Sequence, residues 1–167
     1  PTDPAPAAPT TTPTGAVTTE GLEQWAIAAR ASSEYRATDY SASQATGEPN
    51  VRAHGDSPRA WASKNPDAGE EWLELSYAQP VRATAVRVVQ SFQPGAIARI
   101  EVLDAAGAAT TVWTGPDATV YAKGAIGVLE AKFAATSQPV VKVKVVLATR
   151  IVRGWNEIDA VQLVGTQ

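Results

Sequence analysis

The sequence contains no cysteine, no methionine and a single histidine, His54. The absence of cysteine excludes thiol nucleophiles, zinc–thiolate sites, iron–sulfur clusters and disulfides. One histidine excludes a metal site built from several imidazoles within one chain. No apolar run approaches the roughly 20 residues of a membrane-spanning helix. Because methionine is absent, we expect the chain to be a processed form or a piece of a longer protein.

Charge of either sign is sparse and nearly balanced. The chain has 14 Lys and Arg residues against 17 Asp and Glu, for a formal net charge of −3. The basic residues are scattered, which argues against nucleic acid as a partner. The 167 residues predict one domain with a tail. A body of about 150 residues buries enough surface to fold without a metal or a disulfide.

The first 19 residues differ in composition from the rest of the chain. Residues 1–19 are nearly all proline, threonine and alanine, and Val17 is their only large aliphatic residue. Such a segment cannot bury enough apolar surface to offset its ordering entropy. We predict a linker or spacer over 1–19 and a folded domain over 20–167. The alternative is that 1–19 is a surface loop flanking the domain.

Alternation of apolar and polar residues dominates the chain after Lys64. Leu73, Leu75 and Tyr77 share one face of a segment, and Val143 and Val145 share another between lysines. This period of two, with Val and Ile enrichment and Gly, Pro or Asp turns, predicts strands. No helical period of any length appears. We predict an all-β fold, an antiparallel β-sandwich (jelly roll) of about eight strands. The predicted segments are EWLELSY, VRATAVRVVQ, AIARIEVLD, TTVWTG, IGVLEAKF, VVKVKVVLA and EIDAVQLVG, preceded by GLEQWAIAAR.

Residues 31–64 show little strand pattern. They are small, polar and turn-forming, and YSASQAT predicts one helical turn that ends at Gly47. A stretch of this length without regular structure inside a compact domain is usually functional. We therefore expect a binding site to draw on this loop.

Short motifs along the folded part occur in an order that resembles a known family. They are YSASQATGEPN, GD, AWAS, GEEWLEL and the ending GWNEIDAVQLVG. Over roughly residues 22–165 the chain resembles the discoidin-like domains (F5/8 type C, galactose-binding-domain-like jelly rolls), most closely a divergent bacterial secreted branch. The resemblance implies an eight-stranded jelly roll and a non-enzymatic binding or adhesion module, which in bacterial proteins commonly binds carbohydrate.

The resemblance also implies one structural calcium ion near the early loops and the last strand. Calcium prefers six to eight oxygen ligands, and the candidate ligands here are Asn50, Asp56, Glu157 and Asp159. Ala60 precedes Trp61 where the family commonly has threonine. In the alternative interpretation, Asn50 and Asp56 are turn residues bonded to their own backbone, and Asp159 is a buried structural acid.

Aromatic residues in the loops are candidate sugar platforms, because an aromatic face packs on the C–H face of a pyranose. Trp61, Tyr40 and Trp155 lie in or beside predicted loops, and Arg153 and Asn156 flank Trp155 as polar candidates. The alternative is that Trp61 and Trp155 are packing residues that close the ends of the sandwich, which we favour for these two.

Catalytic patterns are weak. His54 stands alone in a polar loop, and no G-x-S-x-G elbow is present. Glu71 and Glu74 are an odd number of residues apart and so lie on opposite faces of a strand. We interpret Glu71 as a solvated loop carboxylate and Glu74 as an outward strand residue, and we predict no enzyme activity.

The leading hypothesis from the sequence is a non-catalytic, extracytoplasmic binding or adhesion module that recognises glycan through loops at one end of the sandwich. The alternative is a structural or protein–protein interaction module of a larger surface assembly. Both place the chain in a secreted or cell-surface bacterial protein. Its expected partners are a glycan, a surface protein or other modules of the same parent.

Overall fold

The fold is that of a computed structural model in which residues 21–167 are described. The spacer predicted over 1–19 and the boundary at residue 20 lie outside the described residues. A 3-10 turn at Ala42–Ala45 accompanies nine strands. The strands are β1 Leu22–Trp25, β2 Ala28–Ala31, β3 Trp61–Ala62, β4 Glu70–Phe92, β5 Ile97–Asp104, β6 Ala109–Thr114, β7 Gly127–Lys132, β8 Val140–Ala148 and β9 Glu157–Thr166.

Strand β4 belongs to both layers of the sandwich. Its first part, 70–76, pairs with β2 and β8, and its second part, 82–92, pairs with β9 and β7. The pairing with β8 shifts register between Ser76 and Val81. Pro80 lies in this gap and has no N–H to donate to a ladder. Two segments predicted as separate strands are therefore one continuous strand that passes between sheets.

Every pairing in the two sheets is antiparallel. One sheet has the order β2–β4–β8–β5–β6. In the other sheet, β4 lies between β7 and β9, and the short strands β1 and β3 pair with the opposite edge of β9. The predicted all-β antiparallel sandwich is confirmed.

The core lies between the two sheets. The alternating residues Leu73, Leu75 and Tyr77 are buried, as are Val143 and Val145, because each set occupies the inner face of its strand. The largest fully buried apolar side chains are Trp61, Leu73, Leu75, Ile97, Ile100, Leu147, Ile158 and Leu163.

Of the two glutamates of β4, Glu74 is an outward strand residue as predicted, whereas the interpretation of Glu71 requires correction. Glu71 is not a solvated loop residue: it lies in β4, is only 8% exposed, and accepts hydrogen bonds from the hydroxyls of Ser32 and Ser33. Glu74 is on the outer face but is buried, because Arg30 and Lys142 cover its carboxylate at 2.9 and 3.2 Å.

Local turn signals agree with the structure. The predicted helical turn is the 3-10 turn at Ala42–Ala45, and Gly47 after it has φ +78°. This left-handed backbone favours glycine. Strands β5 and β6 form a hairpin in which Asp104 accepts the Gly107 amide at 3.0 Å.

Candidate functional site

A cleft of about 180 Å³ opens at one end of the sandwich, where the loop 31–64 meets the end of β4 and the start of β9. Most of its wall comes from that loop. Its lining residues are Tyr35, Arg36, Tyr40, Asp56, Ala62, Phe92, Trp155 and Glu157.

Tyr35 is the centre of an aromatic trio in this cleft. Its ring centroid lies 5.3 Å from that of Tyr40 at 87° and 5.5 Å from that of Trp155 at 73°. These edge-to-face geometries are favourable for aromatic rings. Tyr35 remains 40% exposed, so the trio presents apolar ring surface to solvent.

Tyr40 is held in place by backbone and side-chain bonds. Its φ of 57° is in the left-handed region, which is uncommon for a bulky residue. Its amide donates to Pro58 O and its carbonyl accepts from Ala62 N, each at 3.1 Å. Its hydroxyl donates to Asp56 Oδ1 at 2.6 Å. That bond is the main cause that raises the pKa of Tyr40 to about 12, so the hydroxyl stays a donor at neutral pH.

Two further groups form the rim of the cleft. Trp155 is partly buried, and its indole Nε1 donates to Ser63 O at 3.0 Å, which fixes the plane of the ring. Arg36 is exposed, and its guanidinium carbon lies 5.2 Å from the centroid of Tyr35. The rim therefore combines aromatic surface with one cation.

Glu157 forms the floor of the cleft and is only 2% exposed. Its Oε2 accepts from Ser57 N at 3.0 Å and from the Ser91 hydroxyl at 3.5 Å. Burial, with repulsion from the Asp56 carboxylate as a smaller cause, raises the pKa of Glu157 to about 8. The group is therefore mostly protonated at neutral pH.

The structure brings two of the five predicted ligand-binding residues, Tyr40 and Trp155, into the cleft. Trp61 requires correction: it is fully buried in the core, and its Nε1 donates to Ser33 O at 3.0 Å. Asn156 is also buried, and its Nδ2 donates to Gln93 O at 2.9 Å. Arg153 is exposed and does not line the cleft.

Tyr35, Arg36 and Phe92 were absent from the predicted set. Tyr35 and Arg36 lie in the polar run SSEYRATDY, where a tyrosine five residues before Tyr40 was an available signal. Phe92 ends a predicted strand, and no local pattern distinguishes it from a packing residue.

The four predicted calcium ligands separate into two pairs. Asp159 is fully buried, and its two oxygens accept the amides of Asn50 at 3.3 Å and Val51 at 3.2 Å. Asp56 and Glu157 instead line the cleft. Within residues 21–167, no group of three or more His, Asp or Glu side chains is placed to hold a metal ion. Calcium also takes amide and backbone oxygens, and Asn50 Oδ1 is buried without a hydrogen-bond partner among these residues. Calcium binding stays a prediction.

His54 lies beside the aromatic ring of Phe92, with 5.4 Å between the centroids. In the described part of the chain, no hydrogen bond joins His54 to a serine hydroxyl or a carboxylate. The nucleophile–base contact that a serine triad requires is therefore not assembled among residues 21–167.

Comparison with protein families identifies the chain. The model of the family described as pappalysin-1, SD scarf domain, C-terminal, matches residues 16–167. The chain belongs to this family. No curated protein matches this SD scarf domain.

Solved structures share the fold of the SD scarf domain at low sequence identity. Chitosan-binding module 1 of a Paenibacillus sp. IK-5 chitosanase/glucanase is 23% identical over 82% of this chain and 92% of the module, with a TM-score of 0.53. The family 32 CBM of C. perfringens NanJ, in complex with galactose, is 17% identical over 86% and 99%, with a TM-score of 0.56. Reduced XRCC1 bound to the DNA pol beta catalytic domain is 12% identical over 87% and 97%, with a TM-score of 0.62.

These neighbours confirm the resemblance to the discoidin-like, galactose-binding-like fold. Two of the three are carbohydrate-binding modules and the third binds a protein, so the fold alone does not decide the ligand of the SD scarf domain. Residues 21–167 contain no helix with the length and apolar character needed to cross a bilayer.

Proposed function

We propose that this SD scarf domain is a non-catalytic binding module that recognises a glycan in the cleft at the loop end of the sandwich. The observation that carries the proposal is the aromatic trio of Tyr35, Tyr40 and Trp155, which opens beside the polar groups of Arg36 and Asp56. The carbohydrate-binding modules among the structural neighbours support it at the level of fold.

The chemistry of the cleft matches a pyranose ring. A sugar presents an apolar C–H face and a perimeter of hydroxyls, and such ligands are held by aromatic surface together with a few placed polar groups. Asp56 offers an acceptor for sugar hydroxyls, and Arg36 offers donors. Tyr40 fixes the carboxylate of Asp56 in position before any ligand arrives, which lowers the ordering cost of binding.

The size of the cleft sets the size of the ligand. Its volume of about 180 Å³ is below the roughly 300–1,000 Å³ of pockets for drug-sized molecules. We infer that it takes one sugar ring, as a terminal residue or a single unit of a longer chain. Because one sugar ring has few atoms to contact the protein, we expect an affinity near the millimolar range.

We propose further that the domain acts outside the cytoplasm, as part of a secreted or cell-surface bacterial protein. The Pro, Thr and Ala composition of residues 1–19 supports a spacer of the kind that separates modules of such proteins. Immunodetection of the parent protein on intact cells and in culture medium tests the location. Signal confined to lysed cells contradicts it.

The glycan proposal is tested by isothermal titration against a panel of mono- and disaccharides at millimolar concentration, with and without Ca²⁺. Binding should be lost in Trp155→Ala. The matched control is Trp72→Ala, because Trp72 lies on the outer face of β4 against Lys144 and does not line the cleft. No binding by the wild type to any sugar refutes the proposal.

A protein-interaction module is the second candidate, favoured by strand β6. This strand pairs only with β5 within the described sheets, and its sequence ATTVWT has no proline or charge to protect the edge. A groove lined by Val112, Phe133 and Val140 lies beside it. An extended partner segment would add to β6 as a strand. If so, Thr111→Lys abolishes complex formation by the parent protein and leaves sugar binding intact.

A further inference from the structure

The cleft carries one charge of each sign, because Glu157 is mostly protonated at neutral pH, and the two charges differ in how they are held. Its titratable lining groups are the carboxyls of Asp56 and Glu157 and the guanidinium of Arg36, apart from the two tyrosine hydroxyls. Asp56 is fixed by the hydroxyl of Tyr40 at 2.6 Å. Arg36 is exposed and is held by no salt bridge within the described residues. A preorganised charge selects a ligand more effectively than a mobile one.

Aromatic rings add to the same electrostatic preference. The face of each ring carries negative potential and attracts cations. Arg36 demonstrates this in the free protein, since its guanidinium already lies 5.2 Å from the Tyr35 centroid. A cleft with aromatic rings and a fixed carboxylate attracts a cationic group and disfavours an anionic one.

On these grounds we propose that the cleft selects an amino sugar, a pyranose whose protonated amine contacts Asp56 and the aromatic faces. This inference rests on the proposed glycan function and names the class of sugar. A neutral hexose lacks the charge that Asp56 would pair with, and the carboxylate of a uronic acid would be repelled by it.

The test compares three ligands on the 167-residue chain at mildly acidic pH with EDTA present: a glucosamine trimer, the N-acetylglucosamine trimer and a galacturonate trimer. Titration should show the glucosamine trimer binding most tightly, and its affinity should fall with added salt because an ion pair is screened. Acetylation removes the charge and keeps the ring, so the second trimer is the matched ligand control.

Two variants, each of which removes a charge of opposite sign from the cleft, test which group recognises the amine of the sugar. Asp56→Asn keeps an oxygen that can accept from Tyr40 and should weaken the glucosamine trimer about fivefold, as for an exposed charge pair. Arg36→Gln removes the competing cation and should strengthen binding of the glucosamine trimer. Both should change the affinity for the acetylated trimer by a smaller factor, because only hydrogen bonds to its hydroxyls are altered there. Glu48→Gln, an exposed carboxylate outside the cleft, controls for net charge. If Asp56→Asn fails to fold, the affinity of Arg36→Gln for the glucosamine trimer still tests the proposal.

The outcomes separate the two proposals. Equal binding of both glucosamine-based trimers, or equal weakening of both by Asp56→Asn, overturns the amino-sugar inference and leaves glycan recognition standing. Preference for the galacturonate trimer with loss in Arg36→Gln also overturns it. If no sugar binds, charged or neutral, the proposed glycan function itself is wrong.

Discussion

The hydroxyl of Tyr40 donates to Oδ1 of Asp56 at 2.6 Å, across 16 residues of a loop that has almost no regular secondary structure. This bond joins two parts of the cleft wall and positions the carboxylate that faces the ligand space. Tyr121 makes a similar bond to Asp117 at 2.5 Å outside the cleft. The chain therefore offers a matched pair of tyrosine–aspartate contacts.

Tyr40→Phe should reduce both stability and ligand affinity. Loss of one side-chain hydrogen bond lowers the free energy of unfolding by about 0.5–1.5 kcal/mol, measured by urea denaturation. Affinity falls as well, because Asp56 is no longer fixed. Tyr121→Phe is the control: it should cost at least as much stability, because the Tyr121 hydroxyl also accepts from Gln90 Nε2 at 3.0 Å, and it should leave sugar binding unchanged. Equal loss of binding in both variants would contradict a specific role for the Tyr40–Asp56 contact.

Trp61→Ala and Trp155→Ala should separate packing from recognition. Trp61 is fully buried, so truncation should lower the free energy of unfolding by about 3–5 kcal/mol. Trp155 is only partly buried, so Trp155→Ala should lower the free energy of unfolding by less. The same variant should abolish sugar binding. Chemical denaturation and titration on the same samples measure both effects. A stability loss for Trp155→Ala as large as that for Trp61→Ala would show that Trp155 is a packing residue.

Trp61 and Trp155 show which features of the site the sequence can predict and which it cannot. Both lie in polar, turn-forming segments, so local pattern gave them the same interpretation. Only tertiary structure distinguishes them: Trp61 is in β3, which pairs with β9 nearly one hundred residues away. The strands were predictable because period-two alternation directly reflects burial of one face.

The loop residues of the cleft carry no such periodicity, so Tyr35 and Arg36 were missed. The sequence predicts two strands in place of β4 because the alternation ends at Tyr77 and Pro80 follows, a combination that normally marks a turn. Here it marks the passage of one strand from the first sheet to the second, which depends on the partners on each side.

Asp159→Asn should destabilise the fold. Both carboxylate oxygens accept backbone amides, from Asn50 and Val51, and an amide NH₂ in place of one oxygen leaves a buried donor unpaired. The expected loss is about 1–3 kcal/mol of unfolding free energy, measured by urea denaturation. Asp39→Asn, at an exposed position, should have little effect. An unchanged Asp159→Asn midpoint would contradict the structural role.

The predicted calcium site is tested by the effect of Ca²⁺ on stability. A bound ion would raise the melting temperature by mass action. The melting temperature should therefore be higher in excess Ca²⁺ than in EDTA, and coincident melts would contradict the calcium prediction. A reproducible increase with Ca²⁺ would support the calcium expectation drawn from the family resemblance, and Asp56→Asn and Asp159→Asn would then locate the ion.

Glu157 should make stability depend on pH in the direction opposite to a salt-bridged acid. Its pKa is raised by burial from an ordinary 4.5 to about 8 in the folded chain. Between these values the folded state holds a proton that the unfolded state has released, so the free energy of unfolding falls as pH rises through this window. The contribution is fully present below about 4.5 and lost above about 8.

Glu157→Gln mimics the protonated carboxyl at every pH, since its amide oxygen can accept from Ser57 N and its NH₂ can face Asp56. The variant should therefore gain stability relative to the wild type as pH rises, and the two should be closest in acid. The buried Asp159, whose pKa burial also raises, is common to both proteins and cancels in the difference. Urea denaturation of both chains across the window measures that difference, and parallel curves would show that Glu157 does not carry the buried proton.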